Sequence, residues 1–178
     1  GNVIARRTAN PAGLPPLPTP FSHGLRAGPH IWAGAQSPKD ANGAIQHASD
    51  PVGQTGMVMD NLVKVLEELE VELRDVLKVG CWFDGDGTSA TWEPAALERA
   101  RHFESPGPVI TELPSPCLPA GETARVEAWA MRGIDGKPLQ RDSVNSPSWH
   151  WPHPLPYSSA VRCEDLVFLS GHLPLDAN

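Results

Sequence analysis

The clearest strand pattern lies near the middle of the chain, over residues 123–131. Residues there alternate between two sides: Ala124, Val126, Ala128 and Ala130 on one, and Arg125, Glu127, Trp129 and Met131 on the other. Alternate positions of a strand face opposite sides of a sheet, so the run predicts an apolar face and a mixed face. The mid-strand carboxylate of Glu127 is typical of a solvated face. The alternative is a carboxylate held at a pocket wall, where it could transfer a proton.

The clearest helix pattern covers residues 51–70. Five apolar residues fall on one helical face: Val58, Leu62, Val65, Leu66 and Leu69. Asp50 is suited to cap the helix, and Pro51 is suited to its first position. The spacing therefore predicts an amphipathic helix whose charged residues, such as Glu67, lie on the solvated side.

Weaker patterns complete the predicted order of elements. Residues 1–20 are rich in Pro, Ala and Gly and are interpreted as an extended arm. Strands are predicted at 21–26, 30–34, 76–83 and 109–113, and a second helix at 92–103, capped by Thr91. Strand runs interspersed with two helices indicate an α+β fold, a mixed sheet with both helices packed on one face.

An internal repeat divides the chain. Residues 11–42 align without a gap to residues 147–178, at an offset of 136. Identical pairs include Pro16/Pro152, Pro20/Pro156, Ser22/Ser158, Arg26/Arg162 and Asp40/Asp176. We therefore interpret 1–137 as one domain, and 138–178 as a Pro-rich linker with the first hairpin of a second domain. Because a lone hairpin is marginal in water, it is expected to pack on another sheet or subunit.

Composition narrows the classes of partner. The formal net charge of -7 argues against a nucleic-acid partner, which requires a basic surface, and disfavours docking on an acidic membrane. No apolar run reaches the length of a membrane span. Cys81, Cys117 and Cys163 are widely spaced without a CxxC motif, which suits a reducing compartment and predicts a cytoplasmic protein.

Several short motifs together resemble the RidA (YjgF/YER057c/UK114) family. They are Pro156-Tyr157-Ser158 with Leu169-Ser170-Gly171-His172, Pro20-Phe21-Ser22, Asp75-Val76-Leu77-Lys78-Val79, and Leu118-Pro119 with Val126-Glu127-Ala128. The resemblance implies a chorismate-mutase-like α+β fold and usually a homotrimer with small-molecule pockets between subunits. It also implies hydrolytic deamination of reactive imines or enamines such as 2-aminoacrylate, with no metal or organic cofactor.

The resemblance also suggests site residues. Glu127 would be the catalytic, proton-handling residue. The family's pocket Tyr falls at Phe21 in the first unit and at Tyr157 in the second, and the Ser of its Ser-Gly falls at Gly34 and Ser170. Cys117, beside the turn into the Glu127 strand, could line the pocket. It has no apparent base partner as a nucleophile, and burial in the interior is the favoured interpretation.

The family's substrate clamp is missing from its expected place. An Arg there would bind the substrate carboxylate through a bidentate pair. The matching segment, 105–111, contains no Arg, and the nearest guanidinium groups are Arg101 and Arg125. Two hypotheses therefore stay open: a deaminase or hydrolase of small imines and enamines, and an inactive module for assembly or small-metabolite binding. His150 and His153 lack a third ligand nearby, so no metal site is predicted.

Overall fold

A computed structural model describes residues 4–85, 88–145 and 155–172. The strands are β1 (Arg6–Ala9), β2 (Gly24–Ala27), β3 (His30–Gln36), β4 (Val76–Phe83), β5 (Val109–Pro114), β6 (Ala124–Met131), β7 (Arg141–Val144), β8 (Ala160–Cys163) and β9 (Leu166–Leu169). The helices are α1 (Pro51–Glu68) and α2 (Ser89–Ala100), and a short 3-10 turn covers Leu73–Asp75.

The larger sheet has six strands in the order β1-β2-β3-β6-β4-β5. The β4–β5 pair is parallel and the other pairs are antiparallel, so the sheet is mixed. Helix α1 buries its predicted apolar stripe against one face of this sheet, and α2 packs beside it. The predicted α+β arrangement, with both helices on one face, is confirmed.

Helix α1 begins where the sequence predicts. The Asp50 carboxylate accepts a hydrogen bond from the Gly53 backbone N–H (3.0 Å), and Pro51 is the first helical residue. The helix ends at Glu68, two residues early, because Glu70 adopts a left-handed φ of 63°. The Val71 N–H then bonds to the Leu66 carbonyl (3.0 Å), which closes the end as a Schellman motif.

Helix α2 starts and ends three residues before the predicted range, and the predicted cap, Thr91, lies inside it. The first turn forms upstream of Pro94, because the Trp92 N–H reaches the Thr88 carbonyl (3.1 Å). At the other end, the N–H groups of His102 and Phe103 bond to carbonyls three residues back. The chain therefore tightens after Ala100 instead of continuing as α-helix.

Two segments that lacked predicted strands contribute sheet edges. Part of the expected arm, Arg6–Ala9, pairs with β2 as the edge strand β1. Part of the expected linker, Arg141–Val144, forms β7 and pairs with β8. Both segments are short and polar, and neither shows a clean alternation, so their strand structure depends on the partner strand that each one meets.

The second hairpin, β8–β9, joins β7 in a three-stranded sheet. One face of this sheet packs Val161 and Cys163 onto Leu77, Val109 and Met131 of the first unit. These first-unit residues lie on the side of the large sheet that the helices do not cover. The hairpin is thus stabilised by another sheet, as an isolated hairpin would require.

Backbone hydrogen bonds attach the second hairpin to β5 and the residues before it. The N–H groups of Gly107 and Gly171 donate to the carbonyls of Pro156 (2.7 Å) and Ile110 (2.8 Å). The Ile110 N–H donates to the Ser170 hydroxyl (2.9 Å), which itself donates to the Ser158 carbonyl (2.7 Å). Ser170 therefore satisfies polar groups at a buried junction.

A buried arginine holds the same junction from the helix side. Arg99, on α2, is 2 % exposed. Its Nε donates to the Tyr157 hydroxyl (3.0 Å) and its Nη1 to the Cys81 sulfur (3.2 Å). Its remaining nitrogen forms an ion pair with Glu112, whose other oxygen accepts from the Trp92 indole. One guanidinium thus links α2, β4, β5 and the second hairpin.

We predict that Arg99→Met strongly destabilises the chain. The substitution leaves the Glu112 carboxylate buried without its partner, which typically costs about 3–5 kcal/mol. Urea denaturation would measure the loss, with exposed Arg101→Met, expected within about 0.5 kcal/mol of the parent, as the control.

The double variant Arg99→Met/Glu112→Leu removes both charges and should recover most of the lost stability. A loss below about 1 kcal/mol for Arg99→Met alone would show that the ion pair does not hold the junction.

Candidate functional site

Glu127 lies at the centre of the six-stranded sheet, on the face opposite the helices. The predicted alternation of β6 is confirmed by burial. Ala124, Val126, Ala128 and Ala130 are at most 2 % exposed, whereas Arg125, Glu127 and Trp129 are partly exposed. Met131, the fourth residue of the mixed face, is 4 % exposed because the three-stranded sheet covers it. The apolar side of β6 therefore belongs to the core, and Glu127 belongs to the outer face.

Small residues flank Glu127 on both neighbouring strands. Gly80 of β4 is its direct partner, and a Cβ atom there would lie 3.0 Å from the Glu127 Cγ and Oε1 atoms. On the β3 side the register shifts, so that Gly34 and Ala35 together face Glu127 as a β-bulge. We call the group of Gly34, Ala35, Gly80 and Glu127 the Glu127 trough.

The second hairpin reaches the other end of the trough. Thr111 of β5 pairs with Gly80, and a Cβ atom on Gly171 would lie 3.4 Å from the Thr111 methyl carbon. A row of residues therefore lies side by side across the strands on the outer face. This row, which we call the level that contains Glu127, runs from the β3 bulge through Glu127 and Gly80 to Thr111 and Gly171. The six-stranded sheet and the β8–β9 hairpin segment both contribute small residues to this level.

The surroundings of Glu127 favour its protonated form. Burial raises the pKa of the Glu127 carboxyl, while the Lys78 ammonium acts in the opposite direction. Lys78 lies above the Trp129 ring, 5.4 Å from its centroid, and its Nζ also donates to the Leu169 carbonyl (3.3 Å). A carboxyl that keeps its proton to higher pH is suited to act as a general acid.

The two guanidinium groups noted from the sequence are both paired elsewhere. Arg125 shares the outer face with Glu127, but its Nε and Nη2 bind the Glu122 carboxylate at 2.6 and 3.1 Å. Glu122 also pairs with Lys39 (2.8 Å), so Arg125 is fixed in a charge network. Arg101 pairs with Glu98 (2.7 Å) on the exposed side of α2. Neither residue resembles a free carboxylate clamp.

The other predicted site residues lie in different places. Gly34 faces Glu127, so the structure brings these two together. Phe21 is 69 % exposed, ahead of β2. Tyr157 is buried on the helix side against Arg99 and Phe103, and Ser170 is buried at the β5 junction. Tyr157 and Glu127 thus lie on opposite sides of the sheet.

The expectation that Cys117 is buried is wrong. Its thiol is exposed in the connection between β5 and β6. This connection contains two Pro/Gly-type turns and runs over the surface, where its backbone polar groups remain solvated. Cys117 lies three residues after the end of β5, and the sequence does not reveal that the loop turns away from the core.

Arg99 is the buried charged residue that sequence reasoning missed. The available signal was its position on α2, where Ala95, Ala96, Ala100 and Phe103 form the buried stripe. An arginine within such a stripe is almost never fully buried without a partner. The pattern could therefore have indicated a paired guanidinium, although it could not have named Glu112 or Tyr157 as partners.

Metal and membrane features complete the description. Across residues 4–85, 88–145 and 155–172, no group of three or more His, Cys, Asp or Glu residues could hold a metal ion. His150 and His153 lie outside the described residues. In the same described ranges, no helix has both the length and the apolar character to cross a bilayer.

The raised pKa of Glu127 predicts a pH-dependent stability change for Glu127→Gln. The folded chain binds this proton more tightly than the unfolded chain does. The resulting stabilisation is complete below the unfolded pKa and is lost as pH rises through the raised folded pKa. Relative to the parent, the variant should therefore gain stability as the pH rises above about 4, the usual pKa of a glutamate in an unfolded chain.

Urea denaturation across that pH range would measure the difference in free energy of unfolding, with Glu67→Gln on the exposed side of α1 as the matched control. A difference that stays constant with pH, or falls as pH rises, would contradict the assigned environment of Glu127.

Comparisons with known proteins show which solved structures share this fold. No family model matches the chain, and no curated protein matches it. Among solved structures, yeast YEO7 has a TM-score of 0.64 and 20% identity, covering 72% of this chain and 99% of its own. YjgF of E. coli has a TM-score of 0.60 and 18% identity, covering 71% and 98%. E. coli TdcF with bound serine has a TM-score of 0.59 and 16% identity, covering 75% and 100%.

These similarities extend over almost the full length of each solved protein, at identities too low to carry function. They agree with the order of strands and helices described above. The chain therefore has the RidA fold, the chorismate-mutase-like α+β architecture that the YjgF-type structures share.

Proposed function

We propose that this chain is a RidA-like module that binds a small metabolite in the Glu127 trough and lacks the arginine clamp of a RidA-type deaminase. The observation that carries the proposal is the position of Glu127 between the Gly34–Ala35 bulge and Gly80. This carboxyl group lies on a central strand, and the residues beside it on both neighbouring strands are small, so a ligand could approach it from the outer face.

The charges of the outer face indicate the kind of ligand. Burial raises the pKa of the Glu127 carboxyl, which can donate a hydrogen bond when it carries its proton, and Lys78 provides a positive charge on the neighbouring strand. Together they suit a small metabolite with a carboxylate and a polar nitrogen or oxygen. The TdcF structure carries bound serine, which makes serine a reasonable first probe for this chain.

Hydrolytic deamination of a small enamine or imine is the second candidate. Its support is the raised pKa of Glu127, which suits proton donation to the enamine carbon. Water would then add to the resulting iminium carbon, and cleavage of the C–N bond would release ammonia and leave a keto acid. The absence of an arginine in residues 105–111 weighs against this candidate, because the substrate carboxylate lacks a bidentate partner there.

Ligand binding and turnover separate the two candidates. Calorimetric titration with serine and with pyruvate should detect binding to the parent chain. Gly80→Ala, whose new methyl would press on Glu127, should weaken it about tenfold or more, since a displaced ligand loses most of its contacts. Gly56→Ala, on α1 and away from the trough, is the matched control.

An ammonia-release assay with 2-aminoacrylate then tests catalysis. The binding proposal expects the rate with the protein to equal the rate in buffer, and Glu127→Ala to leave it unchanged. Acceleration that Glu127→Ala abolishes would establish the deaminase candidate instead. If neither probe bound and no ammonia formed, the Glu127 trough would lose both functions.

We also propose that RidA-like units of this chain assemble as a homotrimer with pockets at the subunit contacts, in a cytoplasmic setting. The trimer is supported by the aromatic outer face of the sheet. There Trp32 and Trp129 pair directly across β3 and β6, and Trp32 is 40 % exposed. Exposed aromatic patches on a sheet are typical of protein interfaces.

Light scattering on the eluting protein should give three times the mass of the chain. Trp32→Glu should shift it to the monomer mass, because a charge would be buried at the contact. Ile134→Glu, at an exposed turn, should leave the mass unchanged. A monomeric parent chain would contradict the trimer.

A further inference from the structure

The three-stranded sheet leaves one apolar face uncovered. Its other face packs on the first unit through Val161 and Cys163. On the uncovered side, Val144, Val167 and Leu169 are 57 %, 62 % and 56 % exposed. We call this side, formed by Val144, Ala160, Arg162, Val167 and Leu169, the second-hairpin face. Three large apolar residues exposed together on one short sheet suggest a surface that meets another element.

The first unit contains the same hairpin in the same register. Arg26 pairs with Ile31 in β2–β3, and Arg162 pairs with Val167 in β8–β9. The turn residue Gly28 has a φ of 62°, and its counterpart Glu164 has a φ of 53°. The two hairpins therefore present equivalent positions, which can be compared residue by residue.

The equivalent apolar positions of the first hairpin are covered. Ala9, Ile31 and Ala33 correspond to Val144, Val167 and Leu169, and they are 0 %, 1 % and 3 % exposed. Helix α1 covers this face closely. A Cβ atom on Gly24 would lie 2.6 Å from the Val65 Cγ1 atom and 2.9 Å from the Leu69 Cδ1 atom.

An arginine on this face donates a hydrogen bond to the C-terminal end of α1. Arg26 donates from Nε to the Gly28 carbonyl (3.2 Å) and from Nη1 to the Leu69 carbonyl at the helix C-terminus (3.1 Å). Arg162 repeats the first of these bonds, donating from Nε to the Glu164 carbonyl (3.3 Å), and its side chain is exposed. The second-hairpin face thus keeps the group that would bind a helix end.

We propose that the second-hairpin face is the docking site of an amphipathic α-helix, placed as α1 is placed on the first hairpin. The apolar stripe of this helix covers Val144, Val167 and Leu169, and its last carbonyls accept hydrogen bonds from Arg162. Ala160 replaces Gly24, so the helix carries a smaller residue where α1 has Val65.

Charge distinguishes this helix from α1 itself. In the first unit, Arg7 pairs with Glu70, just beyond the end of α1 (2.8 Å). The position of Arg7 in β1 corresponds by strand register to Asp142 in β7. The docked helix is therefore followed by a basic residue where α1 is followed by Glu70.

A grafted helix tests this proposal within the full chain. Because residues 147–178 align with 11–42, a second copy of residues 43–72 appended after Asn178 continues the repeat in step. The appended copy carries Val65→Ala, to make room for Ala160, and Glu70→Lys, to pair with Asp142. The matched control carries Leu62→Asp in the appended copy as well, which breaks its apolar stripe.

The readout is the accessibility of one thiol. Cys117→Ser removes the exposed native thiol, Cys81 and Cys163 are buried, and Val167→Cys places a probe on the second-hairpin face. If the helix docks, the probe thiol should react with a thiol reagent about tenfold more slowly than in the control. The reason is that the reagent reaches the thiol only while the helix is transiently dissociated from the second-hairpin face. Adding Arg162→Met to the graft should make the probe react faster again, part of the way to the rate of the control, because the helix end loses its hydrogen bonds.

Two results would overturn the proposal. One is an equal reaction rate in the graft and the control. The other is a probe already protected in the chain without the graft, to a degree that rises with protein concentration. That result would assign the second-hairpin face to contacts between copies of this chain.

Discussion

The buried guanidinium of Arg99 is the contact on which the docking of the second hairpin onto the six-stranded sheet depends. It satisfies Tyr157 of the second hairpin, Cys81 of β4 and Glu112 of β5 at once. A buried ion pair is not in itself strong evidence of stability, because desolvation offsets much of the attraction. Its value here is in specifying position: each partner comes from a different element, and the Arg99 Nε–H and the Tyr157 hydroxyl would lose each other as partners if the hairpin docked elsewhere.

The docking of the second hairpin also shapes the candidate site. The same hydrogen bonds that hold Ser170 and Gly171 to Ile110 place Gly171 beside Thr111, at one end of the level that contains Glu127. The side chain of Tyr157, which precedes the hairpin, lies on the helix side of the sheet instead. Tyr157 and Ser170 therefore belong to the buried junction, whereas Gly171 lies at the edge of the Glu127 trough.

The two hairpins show how one local structure can have two environments. They share register, turn geometry and the bond from the arginine Nε to the turn carbonyl. Burial differs because α1 covers the first hairpin, whereas the large sheet covers the opposite side of the second. Phe21 and Tyr157 illustrate the difference, since one is 69 % exposed and the other 4 % exposed. Equivalent sequence positions therefore do not imply equivalent roles.

The sequence by itself determined the elements whose patterns are local. The Asp50 cap, the apolar stripe of α1, strand β4 over 76–83 and the two faces of β6 all follow from spacing within one segment. The α+β class and the position of Glu127 on the outer face follow from the same patterns. The early end of α1 did not, because the left-handed backbone at Glu70 is unusual for a residue other than glycine.

Only the tertiary structure decided which residues meet. Arg99 finds Glu112 and Tyr157 across separations of 13 and 58 positions, and Glu127 faces Gly80 across 47. The strands β1 and β7 form only because a partner edge is available, and Cys117 is exposed only because its loop leaves the sheet. The physical reason is the same in each case: burial and pairing energies depend on neighbours distant in the chain, whereas propensity and periodicity report only on neighbours within it.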